Sequence, residues 1–514
     1  MKRQTTLPEL LKIRAERDPH KTFLFFGDQE ISYRSLDETT DGIAHGLAGL
    51  GIKKQNNVAV LLPNCPEFLY AFFGIMKAGA VAIPINSTLK GEEVKYILNH
   101  SEATALITSS EYLEMTRQIR PDSPRLGHLI LTGDIPARGV ISFNELLTAP
   151  PPIWPIGISG SDPAAVIYTS GTTGYPKGVV LTHRNYLFDT EQFVRVTQMT
   201  EQDRFLCILP LFHVNGQVVT TLSPMYAGAS MVLMEKFSPK DFFPTLARFK
   251  ATAFSGVPTV YAILLNLQGA EQYDLSSLRF CVCGAAPMPV EIFQKFEQKF
   301  RAFILEGYGL SEGTCVSSVN PLDGHRKIGS IGIPIPKQEM RVVDDQDREL
   351  ESGQVGEIVV RGENVMQEYF RNPEATADAL RGGWLHTGDL GTRDRDGYFY
   401  IVGRKKEMII RGGENIYPKE IEEVLFRHAQ VLEAAVVGLP DPIWGEEVCA
   451  FIVLKEGVQA DPVEFIEYCK TRLADFKCPR KVVFWRQFPK TATGKIQKGK
   501  LKEEYLAKPD QKEV

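Results

Sequence analysis

The chain has 514 residues, a net charge of −5 and a pI near 6.1, with 43% hydrophobic and 24% charged residues. This is the balance of a globular protein, long enough for one large domain plus a small one, or for three of medium size. A weakly acidic chain whose only run of three basic residues is Arg404-Lys405-Lys406 excludes a polyanion groove, so no nucleic acid is expected as a partner.

Residues 1–19 (MKRQTTLPELLKIRAERDP) are charged and amphipathic and lack the apolar stretch of a signal peptide. Ser35-Leu36-Asp37-Glu38 has the form of a capping box and is expected to open a helix. Short apolar runs at 58–62, 81–85 and 105–108 then read as buried strands separated by helices. After a Pro-rich surface connection at 149–155, strands are expected at 165–168, 205–209, 231–234, 253–257, 280–283 and 303–305. This alternation, in two runs, predicts two α/β lobes with parallel sheets covered on both faces. From about Gly329, strands at 339–343 and 357–361 sit among Gly- and Asp-rich turns, which predicts a β-rich subdomain. Past Gly403 a small α+β unit is expected, with helices at 420–428 and 462–473 and strands at 434–437 and 449–453. The expected fold class is therefore α/β. Residues 1–403 form a large N-terminal domain of two α/β lobes plus the β-rich subdomain, and 404–514 form a small C-terminal domain. No apolar run approaches about 18 residues, so no transmembrane segment is expected. The eight cysteines include no C-x-x-C pair and read as free thiols, which suits a cytoplasmic location.

The segment richest in chemistry is Tyr168-Thr169-Ser170-Gly171-Thr172-Thr173-Gly174-Tyr175-Pro176-Lys177-Gly178, which follows an expected strand. Its glycines let backbone N–H groups turn toward an anion, the hydroxyls add donors and Lys177 adds charge. Those are the parts of a triphosphate cradle; a polar surface loop is the alternative on composition alone. It is not a Walker A loop, because Pro176 stands where that motif needs Gly and Gly178 where it needs Ser or Thr.

This loop resembles the phosphate loop of the acyl-adenylate-forming enzymes, the superfamily of acyl-CoA synthetases, peptide-synthetase adenylation domains and firefly-type luciferases. Further segments resemble the same superfamily in the same order, from about Ser32 to Lys495. The resemblance implies that Thr169 to Gly174 and Lys177 surround the ATP phosphates. Gly284-Ala285-Ala286-Pro287 resembles the adenine-contacting turn, and Glu306-Gly307-Tyr308-Gly309-Leu310-Ser311-Glu312 resembles the next motif. Tyr308 is thereby expected to stack on adenine and Glu312 to help hold the Mg²⁺ of MgATP, while Ser311 keeps the hydroxyl of the Thr often found there. Thr387-Gly388-Asp389 resembles the motif whose Asp accepts from the ribose hydroxyls, a task that suits a carboxylate because it accepts two donors at once. Gly403-Arg404-Lys405-Lys406 resembles the hinge segment. By that resemblance Arg404 contacts the nucleotide and Lys406 is the pivot, where many relatives carry Asp. Arg411-Gly412-Gly413-Glu414-Asn415 resembles the segment beside the pantetheine tunnel, and Phe476 and Arg480 fall where relatives touch the CoA nucleotide. Pro489-Lys490-Thr491-Ala492-Thr493-Gly494-Lys495 resembles the catalytic-lysine motif, in which Lys495 bridges the substrate carboxylate and the α-phosphate in the transition state.

Pro210-Leu211-Phe212-His213-Val214-Asn215-Gly216 resembles the segment lining the acyl pocket, with His213 where CoA ligases often place an aromatic gate. Amino-acid adenylation domains carry Asp directly after this Phe, to pair with the substrate's ammonium. His213 cannot serve as that carboxylate. With Phe212, Val214, Gln217, Val218, Val257 and Pro258, a largely apolar pocket for a fatty or other apolar acid is expected. The resemblance thus implies an AMP-forming acid–thiol ligase that uses ATP, Mg²⁺ and coenzyme A, with a small-molecule carboxylate as its partner. It also implies a mobile C-terminal domain that rotates about Lys406 between adenylation and thioester formation. The spacing from Pro489 to Lys495 resembles the site acetylated in some bacterial acyl-CoA synthetases, implying a protein acetyltransferase as a further partner. Two other classes stay open. One is a stand-alone adenylation enzyme that loads a carrier protein. The other is an α/β-hydrolase, because Gly309-Leu310-Ser311-Glu312-Gly313 satisfies G-x-S-x-G, with Asp344 or Asp389 and His428 as triad partners.

Overall fold

The computed structural model describes residues 5–133, 139–147, 157–169, 176–286, 288–491 and 494–507. Ser32, not Ser35, caps the helix Tyr33–Gly49: its hydroxyl accepts the Ser35 N–H at 3.1 Å. Ser35 lies inside the first turn because the helix starts at Tyr33, which is drawn fully into the core, where its hydroxyl donates to Ala229 O at 2.7 Å.

Strands such as Asn57–Leu61 and Ala105–Thr108 are apolar but for one end residue, Asn57 and Thr108, because both of their faces are covered. They belong to an eight-stranded sheet in the order Glu368–Tyr369, Lys177–Thr182, Pro163–Thr169, Val81–Pro84, Asn57–Leu61, Ala105–Thr108, His128–Leu131, Ile141–Ser142. A nine-stranded sheet runs Ile333–Pro334, Ser318–Val319, Phe303–Tyr308, Phe280–Cys283, Ala253–Gly256, Arg204–Cys207, Ser230–Leu233, Thr22–Phe26, Gln29–Ser32. The two lobes are therefore not two consecutive runs. The N-terminal pair of strands crosses to the second sheet, where Leu24 and Phe25 lie parallel to Met231 and Val232.

Parallel pairing does not hold throughout either sheet. Lys177–Thr182 returns antiparallel along Pro163–Thr169, and Ser318–Val319 returns antiparallel along Phe303–Tyr308. A chain that turns back without a crossover helix must pair this way. Both returns enclose a motif, residues 170–176 in the first and 309–317 in the second.

A four-stranded antiparallel sheet follows: Glu339–Val343, Gly356–Arg361, Leu385–Arg393 and Phe399–Arg404. The C-terminal domain has its own five-stranded sheet and its own cores, packed by the helices Pro418–Phe426, Pro462–Lys470 and Lys498–Ala507. The result is a large N-terminal and a small C-terminal domain of mixed α/β structure. The eight cysteines are free thiols, and all but Cys65 are buried. No helix among the described residues is long and apolar enough to cross a membrane.

Candidate active site

Strand register creates the first element of the site. Leu385–Arg393 and Phe399–Arg404 pair so that Asp389 stands opposite Arg404, and Arg404 Nε reaches Asp389 Oδ1 at 2.9 Å. The other Asp389 oxygen accepts the Tyr308 hydroxyl at 2.6 Å. Thr387 steadies the turn: its hydroxyl accepts the Asp389 N–H at 3.1 Å and donates to Ile358 O at 2.7 Å. Burial, then the charge of Asp389, raises the Tyr308 hydroxyl well above its ordinary range, and Asp389 raises the Arg404 guanidinium. Both donors stay protonated. A carboxylate has about four acceptor sites, so Asp389 keeps capacity for a diol beyond these two partners.

The turn Gly284-Ala285-Ala286 packs on the same strand. Ala285 takes φ +68°, and a side chain at Gly284 would stand 3.5 Å from Gly307 O. Glu306 is buried beneath them, accepts the Met288 N–H at 3.1 Å through Oε1, and has no partner for Oε2 among the described residues. Burial pushes its carboxyl up to about 7.

Glu312 accepts the Tyr369 hydroxyl at 2.8 Å, and the Lys177 ammonium lies 4.7 Å from the centre of the same ring. Tyr369 thus joins the phosphate-loop lysine to the acidic motif. Sequence reasoning missed it, because it sits in a two-residue edge strand whose pairing with Val179 and Val180 has no local signal. Glu312 supplies a hard carboxylate oxygen, and no group of three His, Cys, Asp or Glu able to hold a metal occurs among the described residues. That donor set fits Mg²⁺, which binds through one or two carboxylates plus phosphates and keeps several waters. Ser170, Gly171, Thr172, Thr173, Gly174 and Pro287 lie outside the described residues. The flanks of the phosphate loop are anchored: Thr169 pairs with Lys177, Tyr168 Oη meets His100 Nδ1 at 2.7 Å, and Tyr96 donates to Pro176 O at 3.2 Å.

The last element arrives from the C-terminal domain. The Thr491 N–H donates to Lys495 O and the Gly494 N–H to Thr491 O, each at 2.8 Å, closing a tight hairpin. Gly494 has φ +83°, and a side chain there would come within 3.2 Å of Val257 Cγ2 on the N-terminal domain. Burial and then the charge of Arg404 lower the pKa of Lys495, with Asp389 and Glu407 opposing. Burial and then Lys495 push His213 down to about 4. Its Nδ1 accepts the Asn215 N–H at 3.3 Å, so neutral His213 carries its proton on Nε2. Lys495, His213, Arg404 and Asp389 therefore share one electrostatic neighbourhood.

The acyl-pocket segment takes a form no sequence pattern announced, a π-helix over Asn215–Leu222. Gly216 is required there, since a Cβ would lie 2.4 Å from Pro210 O. Gln217 is buried and braces the turn, donating to Leu211 O at 2.9 Å and accepting the Tyr186 hydroxyl at 2.6 Å. Phe212 and Val214 pack with the main core, Val257 with the second lobe's core, and Pro258 opens the helix Pro258–Asn266.

Lys406 lies in the 3₁₀ turn Lys405–Glu407, between Arg404 and the C-terminal domain. Gly412 and Gly413 take φ +59° and +90°, and a side chain at Gly412 would meet the Trp444 ring at 2.8 Å. Arg411 stacks on that ring at 4.6 Å, and Arg480 pairs with Asp475 at 2.5 Å. Both arginines lower the Asp475 carboxyl, Arg480 the more strongly, and Phe476 adjoins it. Trp444 and Ile443, exposed beside the glycines, went unnoticed in the sequence.

The hydrolase constellation does not assemble. Ser311 lies in a 3₁₀ turn, not at a strand-to-helix elbow, and Asp389 is held by Tyr308 and Arg404. His428 packs on Phe465 and Tyr468 beside Glu464, and Asp344 pairs with Arg348.

A lysine hairpin from the C-terminal domain facing a Tyr–Asp–Arg cluster is the arrangement expected of an adenylate-forming enzyme. The AMP-binding enzyme family matches residues 11–370 and the AMP-binding enzyme C-terminal domain matches residues 420–495; the chain belongs to this family. A long-chain-fatty-acid–CoA ligase of Bacillus subtilis is 36% identical over 534 residues, spanning 97% of this chain and 94% of that protein. A sulfoacetate–CoA ligase of Cupriavidus necator is 38% identical over 506 residues, spanning 96% and 97%. The structure of the anthranilate CoA ligase AuaEII in complex with anthranoyl-AMP matches with a TM-score of 0.93 at 33% identity, over 98% of each chain. The protein is an AMP-forming carboxylate–CoA ligase, with ATP, CoA and a small-molecule carboxylate as substrates.

Proposed function

We propose that this ligase activates a fatty or other apolar carboxylic acid in two steps, and that the conformation described here is the one that forms the adenylate. The observation that carries the reading is the Lys495 hairpin seated against Val257, with the lysine's charge felt by both His213 and the Asp389–Arg404 pair. In the first step a carboxylate oxygen attacks the α-phosphorus and the bond to pyrophosphate breaks. Lys495 neutralises the charge that develops there. Asp389 receives the ribose hydroxyls, Tyr308 and the 284–286 turn receive adenine, and Lys177 with the hydroxyl loop receives the outer phosphates. Glu312 would hold Mg²⁺, which neutralises phosphate charge when bound. In the second step the C-terminal domain, beginning at Arg404, turns about Lys406 and brings Gly412, Gly413, Phe476 and Arg480 to the nucleotide site. The CoA sulfur, losing its proton, attacks the acyl carbon and AMP leaves.

Two features support an apolar acid: neutral His213, and the absence of a carboxylate beside Phe212 to pair an ammonium. The relatives differ in acid, so the test is direct. Pyrophosphate release across a panel of carboxylic acids should favour an apolar acid over every standard amino acid; an amino acid as best substrate overturns the pocket reading. CoA, not a carrier protein, is the acceptor in this reading, and free buried thiols suit a cytoplasmic setting. Acetylation of Lys495 by an acetyltransferase would remove the charge the first step needs.

A further inference from the structure

Directly after Glu312 the backbone enters a conformation that β-branched residues rarely adopt. Thr314 sits at φ 67° and ψ −60°, in a turn closed by the Cys315 N–H on Gly313 O at 2.8 Å. Such a conformation costs about 1–3 kcal/mol and persists only where the surroundings impose it. Asp189, fully buried in the helix His183–Thr197, accepts the Cys315 N–H at 3.1 Å and the Val316 N–H at 3.0 Å on a single oxygen. The Asn364 side chain, also fully buried, donates to Gly313 O at 3.0 Å and Val316 O at 3.2 Å, and the Asn364 backbone carbonyl accepts the Thr314 hydroxyl at 2.6 Å. The second Asp189 oxygen is buried with no hydrogen-bond partner among the described residues. Isolating a carboxyl in this way is unfavourable, so the packing that retains it must gain elsewhere.

The gain lies in what the turn touches. A side chain at Gly309 would stand 1.5 Å from Cys315 O, so the turn lies directly on the backbone beside Tyr308. The Ser317 N–H donates to Tyr308 O at 2.8 Å, and the Met366 N–H to Glu312 O at 2.7 Å. The start of the segment 308–312 is therefore tied to the residue that leaves this turn, and its end to the segment 364–366, whose Asn364 also holds the turn. The helix bearing Asp189 follows at once on Lys177–Thr182, the strand that leaves the phosphate loop.

We propose that Asp189 is a positioning residue for adenylation: by holding the turn Gly313–Val316, it fixes Glu312 and Tyr308 relative to the strand that starts at Lys177. The proposal rests on the reading of Glu312 as the Mg²⁺ carboxylate. The test uses Asp189→Leu and the smaller Asp189→Ala, which remove the acceptor; Asp189→Asn, which keeps one; and Thr314→Gly, which takes the positive φ without strain and leaves the turn held by Asp189. Two quantities are read: the ATP dissociation constant by calorimetry in excess Mg²⁺ and in EDTA, and the free Mg²⁺ giving half-maximal pyrophosphate release. In Asp189→Leu and Asp189→Ala the tightening of ATP by Mg²⁺ should fall about tenfold and the half-maximal Mg²⁺ rise alike, the size expected for losing a group behind a metal ligand. Asp189→Asn and Thr314→Gly should stay close to wild type. Wild-type Mg²⁺ linkage in folded Asp189→Leu overturns the proposal; if that variant does not fold, the same result in Asp189→Ala overturns it. Glu312→Gln separates the two readings. If it too keeps the linkage, the metal assignment itself fails; if it alone loses the linkage, only the role of Asp189 falls.

Discussion

Glu306 shows how a single buried acid can make the nucleotide site a source of pH sensitivity. Its carboxyl is pushed up to about 7 from an ordinary 4.5, so between those values the folded protein holds a proton that the unfolded chain releases. Its contribution to stability is complete below 4.5 and is lost as pH rises through about 7. His183 and His213 act oppositely, since both are pushed from 6.5 to about 4 and the unfolded chain takes up their protons first as pH falls. Glu306→Gln keeps the carbonyl oxygen that accepts the Met288 N–H but cannot ionise. Urea unfolding should find the variant equal to wild type near pH 5 and more stable at pH 8.5, by up to about 3 kcal/mol for a shift of this size. The acid-side loss from the two histidines should be the same in both proteins. A variant less stable than wild type at pH 8.5 would show Glu306 to be ionised and paired.

At the scale of elements, what could be read from sequence was what is local. The strands at 105–108, 280–283 and 339–343 fall where apolar runs put them, residue for residue. The motif segments could be picked out because each is a short contiguous run, and the roles expected of them came from resemblance. Tyr369, Asp189 and Trp444 could not, because each acts through a partner distant in sequence. Asp189 in mid-helix reads as a solvated residue until the turn 313–316 is laid against it, and the antiparallel returns show no pattern that separates them from parallel strands. The same holds for Lys498, whose ammonium reaches Glu422 at 2.8 Å and Glu407 at 3.2 Å. Glu407 follows Lys406, the proposed pivot, directly and Lys498 lies three residues past Lys495, so the triad links the lysine hairpin to the start of the C-terminal domain. Lys498→Met takes the cation from Glu422, which is largely buried, and from Glu407, which is more than a third exposed. It should destabilise the C-terminal domain by about 1–2 kcal/mol, less than a fully buried pair because solvent screens Glu407, and adding Glu407→Gln should recover part of that loss in urea unfolding. A single variant as stable as wild type would remove the triad from the argument.

For the whole molecule, the question is whether one small domain serves two reactions by turning about Lys406. In the described conformation Lys406 lies in a 3₁₀ turn, with Arg404 extended before it at φ −110° and the Met408 N–H closing on Arg404 O at 3.0 Å. Helical turns of this kind have φ near about −60°, which proline also imposes. Lys406→Pro should therefore retain the conformer that places Lys495 beside His213 and Arg404, apart from some strain at Lys405, since the residue before a proline resists helical geometry. Fixing that torsion opposes the turn that would carry Gly412 and Gly413 to the site. Lys495→Ala does the reverse: it removes the charge from the first transition state and leaves the domain free to move. The two variants are compared in two half-reactions, pyrophosphate release from ATP and acid, then acyl-CoA formation from synthetic acyl-adenylate. Lys495→Ala should lose about 10²–10³ in the first and little in the second. Lys406→Pro should keep most of the first and lose the second. Chemistry done in a single arrangement would lose both half-reactions together in each variant, because Lys495, Asp389 and Arg404 would then face the acid, the nucleotide and the thiol at once.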